Sequence, residues 1–437
     1  MADELMSGTM SPGLRKVTER AQKEREGKFH SLAHLVDEPA LGRAFRRLRN
    51  DAAVGVDGLT KEDYGRDLRA RLANLHERLR SKQWRHQPIR RVHIPKEKGK
   101  TRPIGISAVE DKIVQDAVRE VLEAVYEQDF LESSYGFRPG RSAHDALRAL
   151  NQVVHRGEVG WILEADIVSF FDSLDRTELM GMLRKRVADG SFLRLVGKCL
   201  HVGVLDGEEY TEPDRGTTQG SVLSPLLGNV YLHYVLDAWF EREVKPRLRG
   251  KAYLFRYADD FVIAFERRDD AERVMAVLPK RMGRFGLTLH EGKTRLLPFN
   301  RPTGTGGKGP STFDLLGFTL YWRRTRGGRW EMWCKTRRAR LRRAIQAVAD
   351  YCRSHRHWPV KEQHAALTRR LQGHFNYFGV NGNMRSLRSL VCATQRIWFK
   401  WLRRRSQRSR LTWTRFRAFL ARFPLPRPRI IVQLWAT

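Results

Sequence analysis

Apolar residues recur along this chain with two distinct periods, and the changes from one to the other divide it. Over residues 29–50, Leu32, Leu35, Leu41, Phe45 and Leu48 keep helical spacing; Gly55 and Gly58 break the pattern, and Leu68, Leu72, Leu75 and Leu79 predict a second helix over 61–82. Residues 84–106 hold two β-rich runs around a basic turn with Gly99 near its tip, a hairpin with cations on its loop. A helix follows over 111–129, carrying Ile113, Val114, Val118, Val121 and Val125 on one face. Residues 161–168 form a short apolar run of the buried-strand type, after which Asp175 and Glu178 predict a capped helix over 176–187. Ser224 and Pro225 suit the N-cap and first position of another helix. At 253–265 two apolar runs flank Asp259 and Asp260, a β-hairpin with both carboxylates at its tight connection. A helix over 270–285, a glycine-rich loop over 301–310, a strand over 313–320 and a hairpin turned by Gly327 and Gly328 complete this part.

From Lys335 the pattern is helical throughout. Leu341, Ile345, Val348 and Cys352 make one stripe while Arg342 and Arg343 stand on the other positions, and further helices are predicted over 360–378 and 384–405. This region is a helical, polyanion-binding unit. Residues 1–28 are polar and charged and are expected to form a basic, flexible arm or a loose helix. The expected division is an arm at 1–28, an α+β unit at 29–330, the helical unit at 331–410 and a tail at 411–437.

Charge sharpens this picture. Of 437 residues, 82 are Lys or Arg against 49 Asp or Glu, a formal net charge of +33. A charge of that size calls for a polyanion, and each phosphate neutralised releases counterions and adds affinity. Hydrophobic residues at 41% and aromatics at 10% indicate full globular cores, which argues against a short ribosomal or tail-like protein. The four cysteines, Cys199, Cys334, Cys352 and Cys392, form no Cys-x-x-Cys pair, so no disulfide framework or cysteine-rich zinc site is expected. No apolar window approaches the ~20 residues of a membrane span, and a soluble, cytosolic protein with no membrane partner is expected.

The chemistry rests on carboxylates. Asp166 lies inside an apolar strand, where an ionised group needs a partner and a metal ion is a good one. An isolated Asp-Asp in a turn is usually only an acidic turn. Here, however, Asp166 joins it, with a loop bearing Gln219 and Gly220 and a basic hairpin bearing Lys96 and Arg102. Together these describe the palm and fingers of a polymerase, in which two metal ions align a primer 3′-hydroxyl with the α-phosphate of an incoming nucleotide. The loop at 134–142 mixes aromatics, glycines and the arginines Arg138 and Arg141, which suits a phosphate backbone and a base face.

Ordered blocks carry a resemblance. Gly55-Val56-Asp57-Gly58, Ile94-Pro95-Lys96, Arg102-Pro103-Ile104-Gly105-Ile106, Ser134-Tyr135-Gly136-Phe137-Arg138-Pro139, Asp166-Ile167 with Phe170-Phe171-Asp172, Gln219-Gly220, Ser224-Pro225-Leu226-Leu227 and Tyr257-Ala258-Asp259-Asp260 run in one order. In this the chain resembles the reverse transcriptase/maturase proteins encoded by bacterial group II introns. Gly373-His374-Phe375-Asn376-Tyr377-Phe378 and Trp401-Leu402-Arg403-Arg404-Arg405-Ser406 resemble that family's thumb, or maturase domain.

The resemblance implies a right-hand α/β (α+β) fold, with an antiparallel palm sheet flanked by helices and an all-helical thumb. It implies that Asp166, Asp259 and Asp260, with the Ile167 carbonyl, ligate two Mg2+ ions, for which Mn2+ could substitute. Lys96 and Arg102 would hold the triphosphate, Phe171 would lie under the sugar and exclude a 2′-hydroxyl, Gln219 and Gly220 would line the nucleotide pocket, and Lys293 would sit near the primer end. The partners implied are an RNA template, intron RNA above all, a DNA primer or target, and dNTPs. Arg138, Arg141, Arg342, Arg343, Arg403, Arg404, Arg405 and Arg408 are the expected RNA contacts. Thr218 stands where the family commonly has proline and Ser221 where it often has glycine, departures that bear on the loop's rigidity. No cysteine follows Cys392, so the metal-bound endonuclease of some members is not expected, and the tail is either a truncated DNA-binding region or the end of the thumb. Two alternatives stand beside this assignment: a domesticated relative serving defence, repair or CRISPR adaptation, and an RNA-binding splicing factor without polymerase activity.

Overall fold

The computed structural model describes residues 10–95, 101–303, 311–325 and 327–434. At its centre is a four-stranded antiparallel sheet in the order Ala252–Tyr257, Asp260–Phe265, Trp161–Asp166, Arg295–Pro298. The middle strands are apolar on both faces because helices cover one side and a second core covers the other; Ile162, Leu163, Phe261, Ile263 and Phe265 are all fully buried. The expected β-hairpin at 253–265 is present, and its connection is only the two residues Ala258 and Asp259.

A second sheet, ordered Thr101–Ile106, Ile89–Pro95, Val204–Asp206, Glu209–Thr211, carries the basic hairpin. After Ile106 comes the helix Val109–Tyr126, whose Ile113, Val114, Ala117, Val118 and Val121 are completely buried in the largest core. A third sheet of Phe313–Leu315, Phe318–Arg324 and Trp330–Thr336 leads into the helices Arg338–Ser354, Val360–Phe378, Met384–Arg403 and Trp413–Arg422. The fold is thus an α+β assembly with a helical C-terminal region. The last helix seals the third core, where Phe416 lies edge-on to Trp398, both fully buried.

Several elements differ from expectation. Residues 12–23 form a helix, one of the two expected forms, but a docked one that buries Leu14, Val17 and Ala21 in the main core; three apolar positions on one stripe suffice because the neighbouring helix supplies the rest. The helix expected from 29 begins at Glu38, where the Asp37 side chain caps Ala40 N–H at 2.8 Å. The 61–82 stripe is broken into Lys61–Gly65 and Leu68–Arg80. Ser224 is the first residue of its helix instead of the cap, and its hydroxyl donates to Thr218 O at 3.0 Å. Asp175 does cap its helix, Arg176–Leu183, accepting from Glu178 N at 3.0 Å.

Arg256, on the edge strand, is fully buried and paired with the equally buried Asp237, Nε to Oδ1 at 2.7 Å and Nη2 to Oδ2 at 2.5 Å. Asp237 closes a π-helical turn, His233–Asp237, that interrupts the long helix beginning at Ser224. The remaining guanidinium protons go to Asn229 Oδ1, Ala258 O and Ser134 Oγ. Breaking one side of such a pair strands a buried charge, at a cost of about 3–5 kcal/mol. Asp237→Ala should therefore lower unfolding stability by about that amount in urea titration; a loss within ~0.5 kcal/mol, typical of surface changes, would mean the pair is dispensable.

Candidate active site

The hairpin end and the end of the central strand meet. Asp166 stands opposite Asp260 in the register, and Asp259 occupies the turn beside them. Ala258 has φ +57, the left-handed value that the first loop residue of a two-residue hairpin adopts in the primed turns. A non-glycine residue pays for that conformation, so the surroundings must hold it. They do: Arg256 Nη1 donates to Ala258 O at 3.1 Å, and Gly136 presses against the turn so closely that a Cβ there would come within 2.3 Å of Ala258 N. Asn229 Nδ2 fixes Gly136 by donating to its carbonyl at 2.6 Å.

The end of the other strand is stapled as well. Val168 N donates to Thr288 O at 2.9 Å and His290 N to Asp166 O at 2.8 Å, with Ile167 buried between them opposite Leu289. The turn that follows His290 brings Lys293 onto the Asp166 carboxylate as an ion pair. Asp260 Oδ2 accepts from Leu316 N at 3.2 Å.

Electrostatics follow from this crowding. Burial, followed by the charges of Asp259, Asp166 and Glu164, pushes the Asp260 carboxyl up to about 6, against the pull of the Leu316 N–H. Burial and the charge of Asp166 likewise raise Asp259, while Arg102 and Arg256 pull it down. Hard oxygen donors with excess negative charge are what a divalent metal ion relieves, so the donor set fits one. The three carboxylates are neighbours without being gathered on one point: among the described residues, no three Asp, Glu, His or Cys groups stand at ligating spacing. The reason is visible in their partners, since Asp166 turns to Lys293 and Asp260 to Leu316.

Arg102 is exposed on its strand, near enough for its charge to act on Asp259; Lys96 lies outside the described residues. Gly220, at φ +113, abuts the basic hairpin, where a Cβ would meet Gly105 O at 2.4 Å, and Gly105 N donates to Gln219 O at 2.7 Å. Thr218 and Ser221, the two departures from the family pattern, are anchored: Ser221 N donates to Thr218 O at 3.1 Å, and Ser221 Oγ to the buried Gln115 Oε1 at 3.1 Å. Phe171 lies half-buried beside Phe170 with ring centres 5.2 Å apart, and its carbonyl accepts from Thr217 N at 2.7 Å.

The expected RNA contacts divide. Arg342, Arg343, Arg403, Arg404 and Arg408 are exposed on the helical region. Arg138 is only 7% exposed and spends its donors on Glu127, Leu131 O and Ser134 O, so it builds its loop from inside. Arg141 pairs with Glu132 and lies over the Tyr135 ring. Arg405 is a tie between helices, donating to Arg356 O and Trp358 O at 2.5 Å each. Sequence reasoning missed Arg256 and Asn229, although an arginine inside an apolar strand is a signal that a buried partner exists.

A model of the family described as reverse transcriptase (RNA-dependent DNA polymerase) matches residues 94–320. Protein YkfC of Escherichia coli (strain K12) is 34% identical over 281 residues, covering 57% of this chain and 74% of that protein. The group II intron-encoded protein LtrA of Lactococcus lactis subsp. cremoris is 31% identical over 243 residues, 54% of this chain and 40% of LtrA. An uncharacterized 91 kDa protein in the cob intron of Schizosaccharomyces pombe is 36% identical over 198 residues, 45% of this chain and 24% of that protein. The chain therefore spans well under half the length of the latter two relatives.

One consequence of the geometry concerns proton linkage. Without a divalent ion, the folded-state value of about 6 for Asp260 lies above the ~3.9 of an unfolded Asp, so the folded state binds the proton more tightly. Ionised Asp260 then costs stability that grows as pH rises from about 4 through 6, by on the order of 1 kcal/mol between pH 5 and pH 7. Asp260→Asn should remove this term, so its stability advantage over the parent in chelator should widen from pH 5 to pH 7. Urea titrations at the two pH values measure it, and a pH-independent difference would contradict the burial of this carboxyl.

Proposed function

This chain belongs to the reverse transcriptase family of RNA-directed DNA polymerases, in its group II intron-encoded branch, and from that premise we propose that it copies intron RNA into DNA with two Mg2+ ions and grips that RNA for splicing and retrohoming. The observation that carries the proposal is the register that puts Asp166 opposite Asp260, with Asp259 in the turn and the charge of Arg102 acting on it. Asp166, Asp259, Asp260 and the Ile167 carbonyl would hold the ions, with Mn2+ as a substitute. Bound there, they supply Lewis-acid charge to the attacking and leaving oxygens of the transfer.

The chain's own residues do the positioning. Arg102, with Lys96, binds the triphosphate of a dNTP from the hairpin side, while the Gln219–Gly220 backbone, packed on that hairpin, lines the pocket. Phe171 excludes a ribose 2′-hydroxyl by occupying its space. Lys293, already on Asp166, lies at the primer end. No helix among the described residues is long and apolar enough to cross a membrane. The exposed arginines of the helical region suit an RNA backbone.

Asp259→Asn keeps the side chain's shape and removes a negative ligand. Metal-dependent primer extension on an RNA template should fall by orders of magnitude, and filter binding to the same RNA should stay near wild type. Undiminished extension would refute the assignment of Asp259; loss of binding together with synthesis would mean that the hairpin is structural. A protein that only binds RNA would show no extension in the parent either.

Phe171→Ala tests sugar selection. With the ring gone, ribonucleotides should compete with deoxynucleotides in primer extension. If discrimination is unchanged, another group forms the gate.

A further inference from the structure

The turn between the helices Arg338–Ser354 and Val360–Phe378 is held more tightly than an exposed loop requires. Gln363, 1% exposed, donates Nε2 to three turn carbonyls, His355 O at 2.8 Å, Arg356 O at 3.2 Å and Trp358 O at 3.0 Å. Its own amide oxygen accepts from the buried Trp398 Nε1 at 2.9 Å, which locks its orientation. Arg405, just beyond the end of the helix Met384–Arg403, reaches across to Arg356 O and Trp358 O, and Trp358 N donates to His355 O at 3.0 Å. Pro359 follows and caps the next helix.

What this scaffold presents is Trp358, 48% exposed, among the largest apolar side chains on the surface. Behind it runs a column of π groups. Its ring stands edge-on to His355 with centres 4.2 Å apart, His355 stacks on Tyr351 at 4.3 Å, and the Arg370 guanidinium lies over Tyr351 at 4.1 Å. The setting is basic on balance: Arg353, Arg356 and Lys361 lie within five residues of Trp358, against the two acidic residues Asp350 and Glu362, of which Asp350 is paired with Arg353. A rigid exposed indole in a strongly basic setting matches a nucleobase better than an apolar protein surface, because every base offers a π face and brings its own phosphate.

We propose that Trp358 is a stacking platform for an unpaired base of bound RNA, held out by Gln363 and Arg405. The proposal rests on the RNA-gripping role given to the helical region above and adds a base contact that the arginines do not supply. Its signature is separable from theirs. Stacking contributes affinity without releasing counterions, so removing the indole lowers affinity while leaving the salt slope in place, whereas removing phosphate contacts lowers the slope.

The test uses the full chain and two RNA probes, a hairpin with an unpaired purine-rich loop and a blunt duplex of equal length, each titrated by fluorescence anisotropy over a salt series. Trp358→Ala should weaken loop binding about tenfold with an unchanged slope, leave duplex binding as it was, and be largely rescued by Trp358→Phe. An Arg403, Arg404 and Arg408 triple alanine variant should instead weaken both probes and flatten the slope. Equal affinity of Trp358→Ala and parent for the loop RNA overturns the platform and leaves Trp358 to a protein contact. Equal losses on both probes overturn it as well. Failure of the parent chain to bind either RNA would count against the RNA-gripping role itself, a distinct result.

Discussion

Burying a guanidinium beneath a two-residue turn is the constraint on which the active-site geometry depends. Arg256 cannot be desolvated without Asp237, and Asp237 reaches it from the π-helical turn in a helix that begins at Ser224, well upstream of the strand Ala252–Tyr257. Once paired, its other donors organise what surrounds them: Ala258 O fixes the strained turn, Ser134 Oγ fixes the loop that pairs with the edge strand, and Asn229 links that loop's Gly136 back to the same helix. The carboxylates therefore stand on a turn whose backbone is determined from below. Their side chains remain free to answer to charge.

That freedom extends outward from Asp260. Its partner, Leu316, sits at φ +54 in a tight turn before Gly317, and Leu316 O accepts from Tyr377 OH at 2.9 Å. Tyr377 belongs to the helix Val360–Phe378, and the carbonyl of the same residue lies 2.8 Å from His144 Nε2. Three hydrogen-bonded groups thus lead from a metal-ligand candidate to the helical region. The buried Asn383 adds a second tie, accepting from Thr336 N at 2.9 Å and donating to Phe378 O at 2.8 Å. Leu316, which holds Asp260, is thereby tied to the helical region.

The parts of this site legible in the sequence were those written in local patterns. Apolar runs around Asp259 and Asp260 specify a hairpin, and an aspartate in an apolar strand asks for a partner; both are short-range signals, and the hairpin is where they put it. Arg138 and Arg405 show the limit. In sequence each is one more arginine in a basic stretch, indistinguishable from Arg403 or Arg408, and what separates them is the acceptor they meet: Glu127 and loop carbonyls for one, the carbonyls of a distant turn for the other. The docking of the N-terminal helix escaped notice for a similar reason, because Leu14, Val17 and Ala21 make a stripe too short to stand alone and gain their burial from the helix Val109–Tyr126.

Positive charge is therefore two populations rather than one. In the first two thirds of the chain, arginines such as Arg43, Arg47, Arg138 and Arg186 are matched by Glu120, Asp116, Glu127 and Asp129 and serve as internal cross-links. Beyond Glu331 the acidic residues nearly vanish while the arginines continue, so their mutual repulsion is left for an external polyanion to relieve. A domain left with unbalanced charge of one sign gives up some stability in isolation, and its aromatic cluster of Trp398, Phe416 and Phe419 offsets that. The net charge of the chain thus understates the asymmetry that matters. Excess positive charge is concentrated in the helical region, while many arginines of the α+β region are paired internally.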